Sequence, residues 1–270
     1  MGNADLICHY TSMEGFKSII QSKKIWATNV LFLNDTKEYL HAFDVFQAEV
    51  EKLKIELKNL SEKDTLFFSG LAQCMDEMDY IGAEQHYVTS FSKNIDQLSQ
   101  WRAYGSIGIV FNKALFENSL NTHNQLYCRM KPCRYDTEGL QEMITAKIRK
   151  LYTDYLNSSN HDAIYRLATD LQIYLYNRAA FLKDKGFHEE REYRVSYAST
   201  GDEEVKFRAT DSCLVPYVEI AFDQHAIDSI YIGPSVEPKR AEKSIELFLY
   251  EHFPDNPPKV HKSQCTYRNW

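Results

Sequence analysis

A chain of 270 residues, 44 % hydrophobic and 26 % charged, has the composition of a soluble globular protein and the length of one large domain carrying an insertion. Its net charge of −7 excludes a global electrostatic funnel for nucleic acid, while leaving room for a local basic groove. The six cysteines are scattered, with neither a CxxC pair nor a Cys/His cluster of zinc spacing, so they read as reduced thiols in a cytoplasmic protein that has no metal site.

The N-terminal MGNADLICHY lacks a basic region followed by an apolar run, and no apolar stretch reaches membrane-spanning length. Neither a secretory leader nor a membrane partner is expected. Leu6–Thr11 reads as a short buried strand, with Ser12 capping an amphipathic helix Met13–Ser22 whose stripe is Phe16, Ile19 and Ile20. A second strand at Ile25–Thr28 leads into a loop over Leu31–Glu38 and a long helix, Thr36–Leu60; a further helix is expected at Lys63–Met75. His86–Ser92 has strand composition, Asn94–Tyr104 reads as a short helix, and Ile109–Phe111 as a strand. Leu126–Arg134 resembles an edge strand, since Pro132 cannot donate to a ladder. Thr137–Asn157 and Ala163–Leu182 are two long amphipathic helices that read as an inserted hairpin. Strands follow at Val205–Arg208, Leu214–Phe222 and Ile227–Ile232, then a helix at Pro238–His252 and a last strand at Val260–Thr266.

This order argues for an α+β fold around a split, mostly antiparallel sheet rather than a doubly wound parallel one. No repeat or linker divides the chain, so residues 1–270 read as one domain with the two-helix insertion, about 137–182, inside it. The absence of Gly-x-Gly-x-x-Gly between a strand and a helix, and of a Gly-Lys-Ser/Thr loop, excludes a Rossmann-style dinucleotide site and a P-loop.

Three stretches carry chemistry. In Lys183–Tyr197 an extended chain puts Glu190, Glu192 and Arg194 on one face. Two carboxylates so placed repel unless they are solvated, paired with Arg194 or used on a cationic ligand; the competing reading is a solvated sheet edge. In His9-Tyr10-Thr11, His9 and Thr11 share a face, and His9 is either functional or a satisfied core histidine. The third is Tyr87–Ser92 followed by Trp101-Arg102-x-Tyr104, where Trp101 and Tyr104, three apart, share a helix stripe and are expected to be buried together. The 18 tyrosines and 15 phenylalanines supply core volume and surfaces on which a flat ligand can stack.

In this order the three stretches resemble the ADP-ribosyltransferase fold, as found in its histidine-tyrosine-glutamate branch and in bacterial toxins. The resemblance implies a split sheet of that type, NAD as substrate, and cleavage of the nicotinamide–ribose bond through an oxocarbenium-like centre. It makes Glu192 the carboxylate that stabilises this centre and bonds a ribose hydroxyl, and Glu190 the general base toward the acceptor. His9 then orients the adenosine ribose or the amide, Thr11 bonds a ribose hydroxyl, and Ser90 supports Glu192. Tyr87, Phe91 or Tyr104 stacks on nicotinamide, and Arg102 or Arg194 meets the pyrophosphate. The implied partners are NAD, an acceptor (protein, nucleic acid or small molecule) and a cognate inhibitor, in the setting of a toxin or phage-defence effector.

Over nearly the whole chain the sequence also resembles an uncharacterised bacterial family known only as a domain of unknown function. The matching stretches are His9-Tyr-Thr11, Asn34-Asp-x-x-Glu38, Ser90-Phe-Ser92 with Trp101-x-x-Tyr104, Phe187-x-x-Glu-x-Glu-Tyr-Arg194, Ile230-Tyr-Ile-Gly-Pro234 and Ser263-x-x-x-Tyr-Arg268. Two further readings stand beside the transferase. One is a non-enzymatic binding or regulatory module of the same fold. The other is a nuclease-like effector that holds a divalent cation on Asn34, Asp35, Glu38, Glu190 and Glu192. The transferase reading requires His9, the Tyr87–Ser92 strand and Glu192 to meet in one cleft.

Overall fold

The computed structural model describes residues 5–33, 36–78, 86–122, 128–158, 163–199, 201, 203–235 and 237–266. The first strand, β1 (Leu6–Thr11), runs into α1 (Met13–Ser22) and returns as β2 (Lys24–Asn29). Ser12 is the N-cap of α1, its hydroxyl accepting from the Gly15 N–H at 3.1 Å, and the helix stops at Lys23 in the left-handed region. Phe16, Ile19 and Ile20 are buried as the helical period requires. Two helices, α2 (Thr36–Leu57) and α3 (Glu62–Met78), precede β3 (His86–Ser92); α4 (Leu98–Tyr104) then leads to β4 (Ile107–Asn112).

The sequence gives no warning of the helix α5 (Lys113–Thr122), which follows β4 directly. The Asn112 side chain accepts from the Leu115 N–H and starts it, and Phe116 and Leu120, one turn apart, are buried. Next come β5 (Cys128–Pro132) and the expected helical hairpin, α6 (Thr137–Leu156) and α7 (Ala163–Ala179). The chain closes with β6 (Glu192–Ala198), β7 (Lys206–Ala209), β8 (Leu214–Ala221), β9 (Ile227–Ile232), α8 (Pro238–His252) and β10 (Lys259–Lys262).

Among the described residues these strands form one ten-stranded open sheet in a mixed α/β fold. Apart from the parallel pair β9–β10, its named pairs are antiparallel. β3 is its branch point. One edge of β3 pairs with β6 along its whole length, from His86 opposite Ala198 to Ser92 opposite Glu192. The other edge is shared: β2 pairs at Tyr87 and Val88, and β1 pairs only where Cys8 meets Ser92. Between those contacts β1 and β2 diverge and leave a wedge in the sheet beside Thr89–Phe91.

One face of the sheet packs on α1, α5 and α8 through a core that includes Phe16, Phe91, Phe111, Phe116 and Leu249. On the other side α2, α3, α6 and α7 form a helical group with its own apolar core, tied to β3 through Val88 and through His86 stacked on Tyr176 at 5.0 Å. The inserted hairpin is therefore half of this group, with α2 and α3 as the other half.

Two expectations need correction. Lys185–Glu190 is a 3-10 turn rather than strand, capped by Asp184 at the Gly186 N–H, and Arg191 takes φ 45° before β6 begins at Glu192. Local side-chain capping here wins over the alternating pattern. Trp101 is 7 % exposed, packed edge-on against Tyr10 at 4.6 Å and donating its indole N–H to Asp96 at 2.7 Å, but Tyr104 is 41 % exposed. The helix ends at Gly105, φ 133°, whose α-carbon lies so near the Thr11 backbone that a Cβ there would sit 2.4 Å from the Thr11 carbonyl oxygen. That close approach clamps α4 onto β1 and turns Tyr104 toward open space.

Replacing Trp101 by alanine is expected to cost about 3–5 kcal/mol, as for other large aromatics removed from a core. A denaturant melt measures this; an unchanged midpoint would mean that the indole packing contributes nothing to stability.

Candidate active site

The wedge holds a cavity of about 440 Å³, within the range of small-molecule sites. β1 contributes His9 and Thr11, the start of α1 contributes Ser12 and Gly15, and β2 contributes Trp26 and Thr28. β3 adds Thr89 and Ser90, Tyr104 lines it from the end of α4, and exposed Phe32 and Arg208 stand on its rim. A smaller chamber of about 70 Å³ is lined by Ser90, Phe91, Gln100, Tyr104, Glu190 and Glu192. His9, Tyr10, Ser90 and Tyr104 line both spaces, so the two adjoin with these residues at the neck.

The wedge leaves the Ser90 carbonyl without a strand partner on this edge, and the His9 ring takes that role at 2.9 Å from Nδ1. A carbonyl only accepts, so Nδ1 carries the proton and Nε2 of the neutral ring is an acceptor. Burial lowers the His9 pKa, against a smaller upward pull from the Ser90 carbonyl. His9 thus sits at the neck as a neutral, oriented imidazole.

Four charges meet behind the small chamber. Lys183, at the exit of the helical hairpin, puts Nζ 2.8 Å from Glu190 and 2.6 Å from Glu192. Arg194 donates Nε to Glu192 at 2.7 Å and Nη1 to the Ala180 and Leu182 carbonyls at 3.2 and 3.1 Å. All four side chains are nearly buried. Burial acts to raise the Glu192 pKa, but the Arg194 and Lys183 charges and their hydrogen bonds outweigh it and hold the carboxyl at about 2. For Lys183, burial pulls down and the carboxylates prevail, raising its pKa. The backbone is fixed as well: the Glu192 N–H donates to the Tyr135 hydroxyl at 2.8 Å, its carbonyl accepts from Cys133, and the Ser92 hydroxyl donates to the Glu190 carbonyl at 2.6 Å.

His9, Thr11, Ser90, Phe91, Tyr104, Glu190 and Glu192 therefore come together, as the sequence reading requires. Three candidates stand apart. Tyr87 is 3 % exposed inside the apolar core, exposed Arg102 lines neither cavity, and Arg194 directs its donors to Glu192 and two carbonyls. Arg208 takes the place of a cavity guanidinium, donating to the Thr28 hydroxyl at 3.2 Å from the edge strand β7. Sequence reasoning missed Arg208, Gln100 and Lys183. Of these only Lys183 carried a signal, as a lysine heading a stretch with excess carboxylate. Of the cation-site residues, Asn34 and Asp35 lie outside the described residues. Among the described ones no group of three His, Cys, Asp or Glu side chains is placed to hold a metal ion. No described helix is long and apolar enough to cross a membrane.

The sequence model of one family, described as a protein of unknown function (DUF2971), matches residues 100–195. The expected likeness to a family of unknown function is thereby met over that span, which runs from Gln100 through the helical hairpin to Val195 and includes Glu190, Glu192 and Arg194. No curated protein and no solved structure matches the chain.

Lys183→Met leaves Glu192 with Arg194 alone and removes the cation that Glu190 meets, and is expected to cost about 3–5 kcal/mol. Because the Glu192 pKa lies below its ordinary 4.5 in the folded protein, the unfolded chain takes up the proton first. The carboxylate's contribution to stability is then full above about pH 4.5 and is lost as pH falls toward about 2. Melting temperature followed from pH 6 to 2 should drop more steeply for the wild type than for Glu192→Gln; parallel curves would mean the pair contributes nothing.

Proposed function

We propose that the two cavities form an NAD site and that the protein is an ADP-ribosyltransferase. The observation that carries this is the small chamber itself: two fixed carboxylates on the wall of a space that shares a neutral histidine and two tyrosines with an adjoining ligand-sized cavity. In the proposed step the bond between ribose C1′ and the nicotinamide nitrogen breaks, and nicotinamide leaves with the electron pair. The positive charge left on the ribose is opposed by a carboxylate in a water-poor site. An acceptor nucleophile then bonds to C1′ and gives its proton to a base.

The ion pairing redistributes the roles suggested by sequence. Glu192 has both oxygens engaged by cations, whereas Glu190 meets Lys183 alone among the described residues. Glu190 thus has the oxygen to offer to a ribose hydroxyl, and Glu192 holds Lys183 and Arg194 in place behind it. Thr11 and Ser12 line the larger cavity where further hydroxyls lie, and Arg208 is the guanidinium placed for the pyrophosphate. The acceptor is open among protein, nucleic acid and small molecule.

A second reading, a binding module without chemistry, draws on a specific feature. The cluster of two carboxylates, one lysine and one arginine is neutral overall, so the field opposing a cationic centre is weaker than that of an unpaired carboxylate.

Incubation of the purified protein with NAD should release nicotinamide, and EDTA should not change the rate. Glu190→Gln is expected to lower that rate about 10²–10³-fold, as for loss of one electrostatic stabiliser. It should lower the melting temperature too, because the buried cluster loses one carboxylate, so the rate is measured well below the melt of the variant. Glu192→Gln should lower rate and melting temperature together. Binding of NAD without nicotinamide release selects the binding module; no binding at all rejects both.

A further inference from the structure

The small chamber has one lining residue whose chemistry is unaccounted for. Gln100, on the buried side of α4, is 4 % exposed, and its amide Nε2 has no hydrogen-bond partner among the described residues. A primary amide nitrogen shut away from water without a partner costs on the order of 1–3 kcal/mol, and no described hydrogen bond holds the Gln100 amide nitrogen in its present orientation beside the chamber. Gln100 and Tyr104 are one helical turn apart, so both meet the chamber from the same side. Glu190 meets it from the other chain segment, and His9 stands at the neck.

We infer that Gln100 recognises the vicinal hydroxyls of a ribose held in the small chamber, giving the site its selectivity for a sugar that carries both. This rests on the reading of the cavities as an NAD site. The polar groups on the walls fall into two kinds. Glu190 and the His9 Nε2 accept; the Gln100 amide and the Tyr104 hydroxyl can donate. A hydroxyl both gives and takes a hydrogen bond, so two adjacent hydroxyls match two acceptors and two donors. A half-turn of the Gln100 amide exchanges its ends at little cost, so its NH₂ can be presented to the chamber as the ligand arrives. The size agrees: at about 10–15 Å³ per water-sized group, 70 Å³ admits the hydroxylated edge of a sugar but not a ring with its substituents. A nicotinamide carboxamide offers a similar donor and acceptor. In the inner chamber, however, it would displace the ribose from the carboxylate that the proposed step requires beside C1′.

The test uses ADP-ribose, which is not cleaved, its analogue lacking the 2-hydroxyl of the terminal ribose, and nicotinamide alone. Calorimetry on the intact protein gives each affinity, and Gln100→Met is the variant, since it keeps the length of the side chain without its polar end. The wild type should prefer ADP-ribose over the deoxy analogue by about tenfold, the value of one net hydrogen bond. Gln100→Met should reduce that preference to within about twofold while leaving nicotinamide affinity and the melting temperature unchanged. Should methionine disturb folding, Gln100→Leu keeps a similar volume and should abolish the preference as well, because it removes the donor. Loss of nicotinamide affinity with the sugar preference intact would assign Gln100 to the carboxamide and overturn the inference. So would an unchanged preference in both variants. In either case NAD turnover by the wild type leaves the proposed function standing. If the wild type binds neither ADP-ribose nor NAD, the proposed function falls and the inference with it.

Discussion

A β-strand has two edges, and β3 must serve three neighbours. β6 occupies one edge through the whole of His86–Ser92, which forces β1 and β2 to divide the other. They cannot lie along it together, so the sheet opens beside Thr89–Phe91. A backbone carbonyl left in such a gap needs a partner, and the His9 ring supplies it at Ser90. The orientation and tautomer of the neck histidine are thus consequences of strand pairing. The connection from β1 to β2 is α1, whose capped start lines the larger cavity, and the tight passage at Gly105 holds α4 against β1. The same fork that opens the sheet brings strand, helix start and α4 to one place.

The charges follow from a second constraint. Two carboxylates within reach of one lysine and one arginine, all nearly dry, are tolerable only as a neutral set with good geometry. Lys183 is delivered by the exit of α7, where Arg134 and Leu182 form a bridge and the Lys183 N–H donates to the Arg134 carbonyl. Arg194 is steadied by carbonyls from the same exit, at Ala180 and Leu182. The helical hairpin is therefore more than a peripheral insertion. Its packing on α2 and α3 fixes the end of α7, and that end fixes the cations that hold Glu190 and Glu192 at the chamber wall.

Much of the frame was legible because local rules act alone there. The start and stop of α1 follow from Ser12 and the stripe of Phe16, Ile19 and Ile20, and α8 begins at Pro238 where proline is welcome. His9, Ser90 and Glu192 were grouped only through the motif order that resembles the ADP-ribosyltransferase fold, since no local rule links residues so far apart in the chain. What was hidden depends on three-dimensional closure. α5 starts on an asparagine that reads equally well as a turn, and only the core shows Phe116 and Leu120 to be one face. The stripe rule put Trp101 and Tyr104 in one environment, yet α4 is so short that its end leaves the core within a turn. Period-two alternation cannot reveal that Lys183, before the turn, closes on Glu190 and Glu192 after it. Nor can it show that Arg208 reaches the wedge from β7, across β8 and β2.

The two cavities differ in a way that divides the work of binding. Much of the small chamber's wall is fixed through buried bonds, at His9, Glu190 and Glu192, with the Glu192 carboxyl held well below the usual range and the His9 pKa lowered by burial. Groups so held lose little freedom when a ligand arrives, so they favour discrimination. The larger cavity has its cation, Arg208, on an exposed edge strand, and faces the start of α1, the positive end of a helix dipole. In a chain of net charge −7, an anionic ligand gains nothing from the long-range field, and these local features are what it would meet. Rim charges act through water and salt, and set the approach more than the final affinity. On the proposed NAD reading, the phosphates would meet Arg208 and the sugar the small chamber, where an unmatched polar group is costly. Selectivity in this protein should therefore reside in the residues least visible from its surface.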